Sequence, residues 1–223
     1  MQLTPRAGTV ASGILGGLIS STATTVSYAR RSKQAPDTQA LATIVIMTAS
    51  AIVFARVLVL IGATAPVFLQ TAGPPICVML GVMALLALRS WFTSRGISSA
   101  MPEQENPSEL KPAIFFAVLY GLVLLAVAAA KNYFGDRGLY AVAILSGLTD
   151  MDAITLSVTQ LVNSQKLPAE TGWRLILVAS MSNLAFKTAT VVAIGDRKLA
   201  ARIMLLFGLA IGGGAVILAF WPR

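Results

Sequence analysis

Seven stretches of this chain are long and apolar enough to cross a hydrocarbon core that needs about 20 helical residues. They run Gly8–Arg30, Leu41–Ala65, Pro74–Phe92, Pro112–Ala130, Leu139–Val162, Gly172–Ile194 and Ala200–Trp221. Lipid offers no partner to a backbone N–H or C=O, so segments of this kind fold as helices. The composition agrees: 56% of residues are hydrophobic and 12% charged, against about a quarter charged in soluble domains, and mean hydropathy is +0.78. The expected fold is all-α, a polytopic membrane helix bundle of about seven transmembrane helices with the lipid bilayer around it, and not a soluble enzyme.

Details of the segments fit that frame. Trp91, Trp173 and Trp221 fall at segment ends, the headgroup depths that favour an amphipathic ring. Pro74, Pro75 and Pro112 sit at expected helix starts, where a missing N–H costs little. The first segment is long, rich in Ser and Thr, and lacks the short apolar core and cleavage site of a signal peptide. Residues 94–111 are polar and hold three of the nine acids; they form the linker between residues 1–93 and 112–223.

The net charge of +8 comes from cations that sit singly or in short clusters between apolar runs, as at Arg30, Arg31 and Lys33. Such cations flank membrane segments, and no nucleic-acid partner is expected. With no histidine and a single cysteine, a disulfide framework, a zinc site and a Cys/His nucleophile are excluded within one chain. Cys77, inside an apolar run, reads as a packing residue. No cofactor is expected. Counting Lys and Arg on alternate sides of seven crossings gives nine against six, which favours an outside N-terminus and a cytoplasmic C-terminus.

The chain repeats itself. Gly13-Ile-Leu-Gly-Gly-Leu-Ile-Ser-Ser-Thr-Ala-Thr-Thr-Val-Ser27 and Ala143-Ile-Leu-Ser-Gly-Leu-Thr-Asp-Met-Asp-Ala-Ile-Thr-Leu-Ser157 share seven of fifteen positions at an offset of 130. Ala49-Ser50 matches Ala179-Ser180 at the same offset, and one slipped residue later Arg56 faces Lys187. Residues 1–93 thus read as a first copy of three helices and 112–223 as a second copy of four. Four crossings separate the matching motifs, so the copies are expected to run parallel, with a site where they meet. The first copy lacks a counterpart to the fourth segment. The groove this leaves, rich in small residues, is expected to be covered by a second copy of the chain, as a homo-oligomer, or by a partner helix.

Away from the segment ends, four charges fall inside the segments: Asp150, Asp152, Arg56 and Lys187. Each costs about 2.5–3.5 kcal/mol at mid-membrane, roughly 10–14 kcal/mol together if unpaired. They must pair, bind ions or line water. Residues two apart on a helix point about 200° apart. Asp150 and Asp152 therefore converge only if the helix breaks between Gly147 and Asp152; otherwise one meets a base and the other faces a cavity. Ser180, Asn183, Lys187 and Thr190 form one helical stripe, and Ser21, Thr24, Thr25 and Tyr28 another. An equal alternative is that their hydroxyls are spent on their own helices and that the ion pairs only lock the bundle.

Two strings, Gly16-Gly-Leu-Ile-Ser-Ser-Thr-Ala-Thr-Thr-Val-Ser-Tyr-Ala-Arg-Arg31 and Ser146-Gly-Leu-Thr-Asp-Met-Asp-Ala-Ile-Thr-Leu-Ser157 followed by Ser182-Asn-Leu-Ala-Phe-Lys187, resemble the membrane domain that follows the MgtC-like domain in bacterial MgtC/SapB-family proteins. The resemblance implies a multi-pass protein of the bacterial inner membrane, associated with magnesium homeostasis. The MgtC-like half, to which that association belongs, is not in this sequence.

The residues themselves suggest a protein that binds or conducts an inorganic cation at the repeat interface. Asp150 and Asp152 are the candidate metal ligands or proton acceptors. Thr149, Thr155, Asn183, Ser180, Ser21, Thr22 and Thr25 are candidates to complete the polar cavity, with Lys187 and Arg56 as counter-charges. Carboxylate and hydroxyl oxygens suit Mg²⁺, Na⁺ or H⁺ better than zinc or copper. Two rival readings remain: a regulator or assembly subunit whose charges only specify packing, and a small-anion carrier using Lys187 and Arg56. No enzymatic activity is expected, because an aspartyl pair needs acids on different helices.

Overall fold

The computed structural model describes residues 5–93, 138–148 and 150–222; the linker, the fourth apolar segment and Thr149 lie outside the described residues. The described residues are helical throughout, with short connections. In chain order they are α1 (Pro5–Gln34), a 3-10 turn (Pro36–Thr38), α2 (Gln39–Thr64) and α3 (Pro66–Thr93). There follow α4 (Gly138–Leu148), α5 (Met151–Asn163), α6 (Ala169–Ile194) and α7 (Arg197–Phe220). Five stretches, Gly8–Gln34, α2, α3, α6 and α7, are long and apolar enough to cross a membrane. Leu15, Ile19, Val67, Leu205 and Phe220 lie exposed on outer faces, surface that lipid accepts and water does not. This is a membrane helix bundle.

Several expected details shift. The third helix begins at Pro66, so Pro74 and Pro75 lie inside it. Trp173 is 2% exposed and packs in the core, whereas Cys77 lies on an exposed face.

The larger change concerns α1. Its backbone leaves the helix at Ser20 (φ −162°, ψ 103°), and beyond that residue the chain folds back. Residues 16 and 24 would be about 12 Å apart along a straight helix. Instead a Cβ on Gly16 would collide with the Thr24 side chain. Gly13 lies against Val45 and Thr48, and Gly17 against Ala49 and Ile52, so residues 5–19 run alongside α2 in its own direction. Residues 21–34 reach α2 through the tight turn at Pro36–Thr38 and run the opposite way. Thus α1 is a helical hairpin with two legs, not a single crossing.

The direction of the second half follows from contacts at the two ends of the bundle. At one end Asn163 donates to the Thr64 carbonyl (2.7 Å), and Gly172 lies against the Phe68 ring. At the other end the Asp196 backbone N–H donates to Ser32 Oγ (3.1 Å). So α6 starts where α2 ends, and ends where α2 begins. The two helices are antiparallel, although they are matched in sequence: they start and end 130 residues apart. The parallel arrangement expected from sequence is therefore corrected, and the reason is physical. An odd number of crossings leads from the start of α2 to the start of α6, where four were expected; α1 precedes both, and the fifth apolar segment between them is broken at Asp150 and is not one straight helix.

The ends also re-sort the cations. Arg89 and Arg202 line one pocket with Thr43, Ser90 and Thr93, which puts the end of α3 and the start of α7 together. Among the described residues, Arg30, Arg31, Lys33, Arg89, Arg197, Lys198 and Arg202 gather at that end, with Lys166 and Arg174 at the other. For these nine cations the expected split was six against three, and it becomes seven against two.

Candidate ion site at two helix breaks

Ser20 and Asp150 occupy the same position in the two halves, 130 residues apart, and each is an extended residue at a break in the helix (Asp150 φ −147°, ψ 126°). Each starts the next helical run as a side-chain N-cap. Ser20 Oγ accepts from the Ala23 N–H (3.2 Å), and Asp150 Oδ1 from the Asp152 N–H (2.8 Å). Ser and Asp are among the preferred residues for this role. Upstream, each break frees carbonyls that a side chain from the neighbouring helix satisfies. Arg56 of α2 donates to the Gly17 carbonyl (2.9 Å) and to that of Leu18 (3.3 Å). Asn183 of α6 donates to the Gly147 carbonyl (2.8 Å). Gly17 and Gly147 are themselves a matched pair, pressed on the matched Ala49 and Ala179 backbones.

The charges meet at these tips. Asp152, in the first turn of α5, pairs with Arg56, and the two side chains keep 30% and 24% exposure. The other Asp152 oxygen, Oδ1, is buried without a hydrogen-bond partner among the described residues. Lys187 is 1% exposed. Its Nζ donates to Ser21 Oγ (2.8 Å) and Ser50 Oγ (3.3 Å), and no carboxylate of the described residues lies within ion-pair distance. Arg56 and Lys187 stand about two turns from the nearer ends of their helices, well inside the bundle.

The expected site residues divide accordingly. Asp150, Asp152, Arg56, Lys187, Ser21 and Asn183 are brought to the two breaks. Thr22, the counterpart of Asp152, is partly buried there. Thr25, Thr155 and Ser180 are buried, but each hydroxyl donates to the carbonyl four residues back, at Ser21, Met151 and Ile176. Those three hydroxyls pack the helices. Two contributors were not among the sequence candidates, Ser20 and Ser50. The signal for Ser20 was present, since it aligns with Asp150 and both are good caps.

The two aspartates therefore differ in role. Asp150→Asn keeps a capping oxygen of similar strength, and its melting temperature is expected to stay within about 1–2 °C of wild type. Asp152→Asn leaves Arg56 without a counter-charge. Fully buried pairs lose about 3–5 kcal/mol this way; for this half-open pair about 1–3 kcal/mol is expected, a drop of roughly 2–12 °C for a chain of this size. Equal losses in the two variants would contradict the division.

With the geometry established, comparison with other proteins adds a family. Residues 2–195 match a domain of unknown function (DUF4010). The chain belongs to the DUF4010 family. It is also 28% identical over 206 residues to an uncharacterized protein of Aquifex aeolicus (strain VF5), covering 89% of this chain and 86% of that one. No solved structure matches. The matched region contains both helix breaks and all four interior charges.

Proposed function

We propose that this DUF4010 protein is a carrier for a small ion rather than an enzyme. It would be built from two inverted copies of one unit, with its site where the two broken helices meet. One observation carries the reading: the helices break at matched positions, Ser20 and Asp150, inside the bundle and beside its interior charges. Irregular backbone at membrane depth is tolerated where it is buried in protein or lines an aqueous cavity. Inverted repeats with broken helices are a frequent plan of secondary transporters. On this reading the end with seven cations faces the cytoplasm of a bacterial inner membrane, the N-terminal leg enters from that side, and α7 ends outside.

Two cargoes have specific support. The unpaired Asp152 oxygen beside Asp150 favours a cation, with H⁺ and Na⁺ ahead of Mg²⁺ because Arg56 stands against it. Lys187, buried among hydroxyls, favours an anion. The resemblance to MgtC/SapB-family proteins adds magnesium homeostasis as a setting for such a carrier, and nothing in that setting requires magnesium to be the cargo. A bilayer-embedded dimer or a partner helix beside α1 remains part of the proposal.

The test is aqueous access to the tips. In a Cys77→Ala background, Thr22→Cys and Asp150→Cys are reconstituted into liposomes and treated with a membrane-impermeant maleimide from either side. A carrier is expected to label at both tips, with the accessible side changing as ions are added. Failure of both tips to label from either side would leave the charge network as a packing device and favour the regulator reading.

A further inference from the structure

The two halves are matched in backbone but not in charge, and the mismatch names a ligand. In each half a cation on the second long helix reaches across to the tip of the other half's broken helix. Arg56 of α2 reaches the tip of α5 and meets Asp152. Lys187 of α6 reaches the tip of α1 and meets Ser21. The residue after Ser21 is Thr22, the counterpart of Asp152 at an offset of 130. One tip therefore carries a carboxylate for its cation, and the other offers only hydroxyls.

Lys187 is also the more deeply buried of the two cations, 1% exposed against 24% for the Arg56 side chain. A buried ammonium whose acceptors are two neutral oxygens lacks the attraction that offsets desolvation. Around it lie Ser21 Oγ, Ser50 Oγ and the start of the α1 second leg. A helix start of this kind presents N–H groups without helical acceptors and the positive end of the helix dipole. The Gly17 and Leu18 carbonyls at this break are taken by Arg56, and Lys187 is left with neutral hydroxyl oxygens, while the equivalent point of the other half is occupied by a carboxylate.

We propose that the tip of α1 binds a small oxyanion of the carboxylate class, held by the Lys187 ammonium, the Ser21 and Ser50 hydroxyls and the first N–H groups after Ser20. The bound carboxylate takes the position that Asp152 takes on Arg56. This rests on the carrier reading and names its substrate class. A small monocarboxylate is the class that matches one buried ammonium, since Lys187 is 1% exposed.

The experiment uses the full chain in lipid nanodiscs and acetate as the probe. Melting temperature is followed as acetate replaces gluconate, a carboxylate too bulky for an enclosed site, at constant ionic strength. Binding is expected to raise it with the logarithm of acetate concentration above the dissociation constant, by about 3–6 °C at ten times that constant. Thr22→Asp supplies the counter-charge from within the chain. That variant is expected to melt at or above the wild-type temperature and to lose the acetate response. Lys187→Met should lose the response too, but it risks misfolding, so Thr22→Asp decides. No rise in wild-type protein, or an equal rise in Thr22→Asp, would overturn the proposal. Tips that label from water without an acetate response would reject the anion while leaving the carrier; tips closed to water would reject the carrier itself.

Discussion

Gly147→Ala and Gly17→Ala are each expected to lower the melting temperature sharply, whereas Gly208→Ala leaves it level or slightly higher. A Cβ on Gly147 would strike the Ala179 carbonyl oxygen, and one on Gly17 would sit 2.7 Å from the Ala49 oxygen and 2.9 Å from the Ala49 Cα. These are backbone atoms of the adjacent helix, so no side-chain rotation relieves the contact and the helices must part. Overpacking typically costs about 1–3 kcal/mol and occasionally more, a fall of roughly 2–12 °C at this chain length. Parting the helices also disturbs the carbonyls that Arg56 and Asn183 satisfy, which puts both variants at the upper end. Around Gly208 a Cβ meets nothing within 4 Å, so only the helix preference of Ala over Gly is felt, under about 1 kcal/mol. A Gly147→Ala protein that melts like Gly208→Ala would mean that the two crossings are looser than described.

The matched glycines also show what was legible in the sequence. The helices followed from apolar length, and the repeat from an offset that keeps Gly17 with Gly147 and Ala49 with Ala179. The four interior charges could be read as a group, because burial leaves them few stable arrangements. Direction could not be read. A stretch such as Gly8–Gln34 has the length and hydropathy of a crossing whether it runs straight or folds back, because both forms bury the same apolar residues. The turning point, Ser20, is neither Gly nor Pro, and its extended backbone is open to any residue. Once an odd number of crossings leads from α2 to α6, the copies invert and Arg197, Lys198 and Arg202 join the cations at the other helices' ends. One missed reversal thus accounts for both the parallel axis and the weak charge bias. The pairing of Asp152 with Arg56 rather than Lys187 was open for a different reason. Both bases were within the range of a long side chain, and only the tip geometry separates them.

Opposed directions for the two halves give the second strong expectation, a disulfide between Thr64→Cys and Thr159→Cys. The two threonine hydroxyl oxygens are 3.3 Å apart near the ends of α2 and α5, so sulfurs in their place need close by only about 1 Å to bond. In a Cys77→Ala background, with a protease site inserted in residues 94–111, mild oxidation should hold the cleaved halves together on a non-reducing gel nearly quantitatively. Ser32→Cys with Thr159→Cys should not cross-link, because Ser32 lies by Asp196 at the opposite end. Parallel copies would bring residues 32 and 159 to the same end instead, so the reverse pattern would sink the inverted arrangement. The same bond tests motion. If the halves rock against each other to open the tips alternately, tying α2 of one to α5 of the other should freeze labelling of Thr22→Cys to one side. A reductant should restore labelling from both sides. Labelling that is unchanged by a complete cross-link would mean that the tips open without relative movement of the halves, as in a channel.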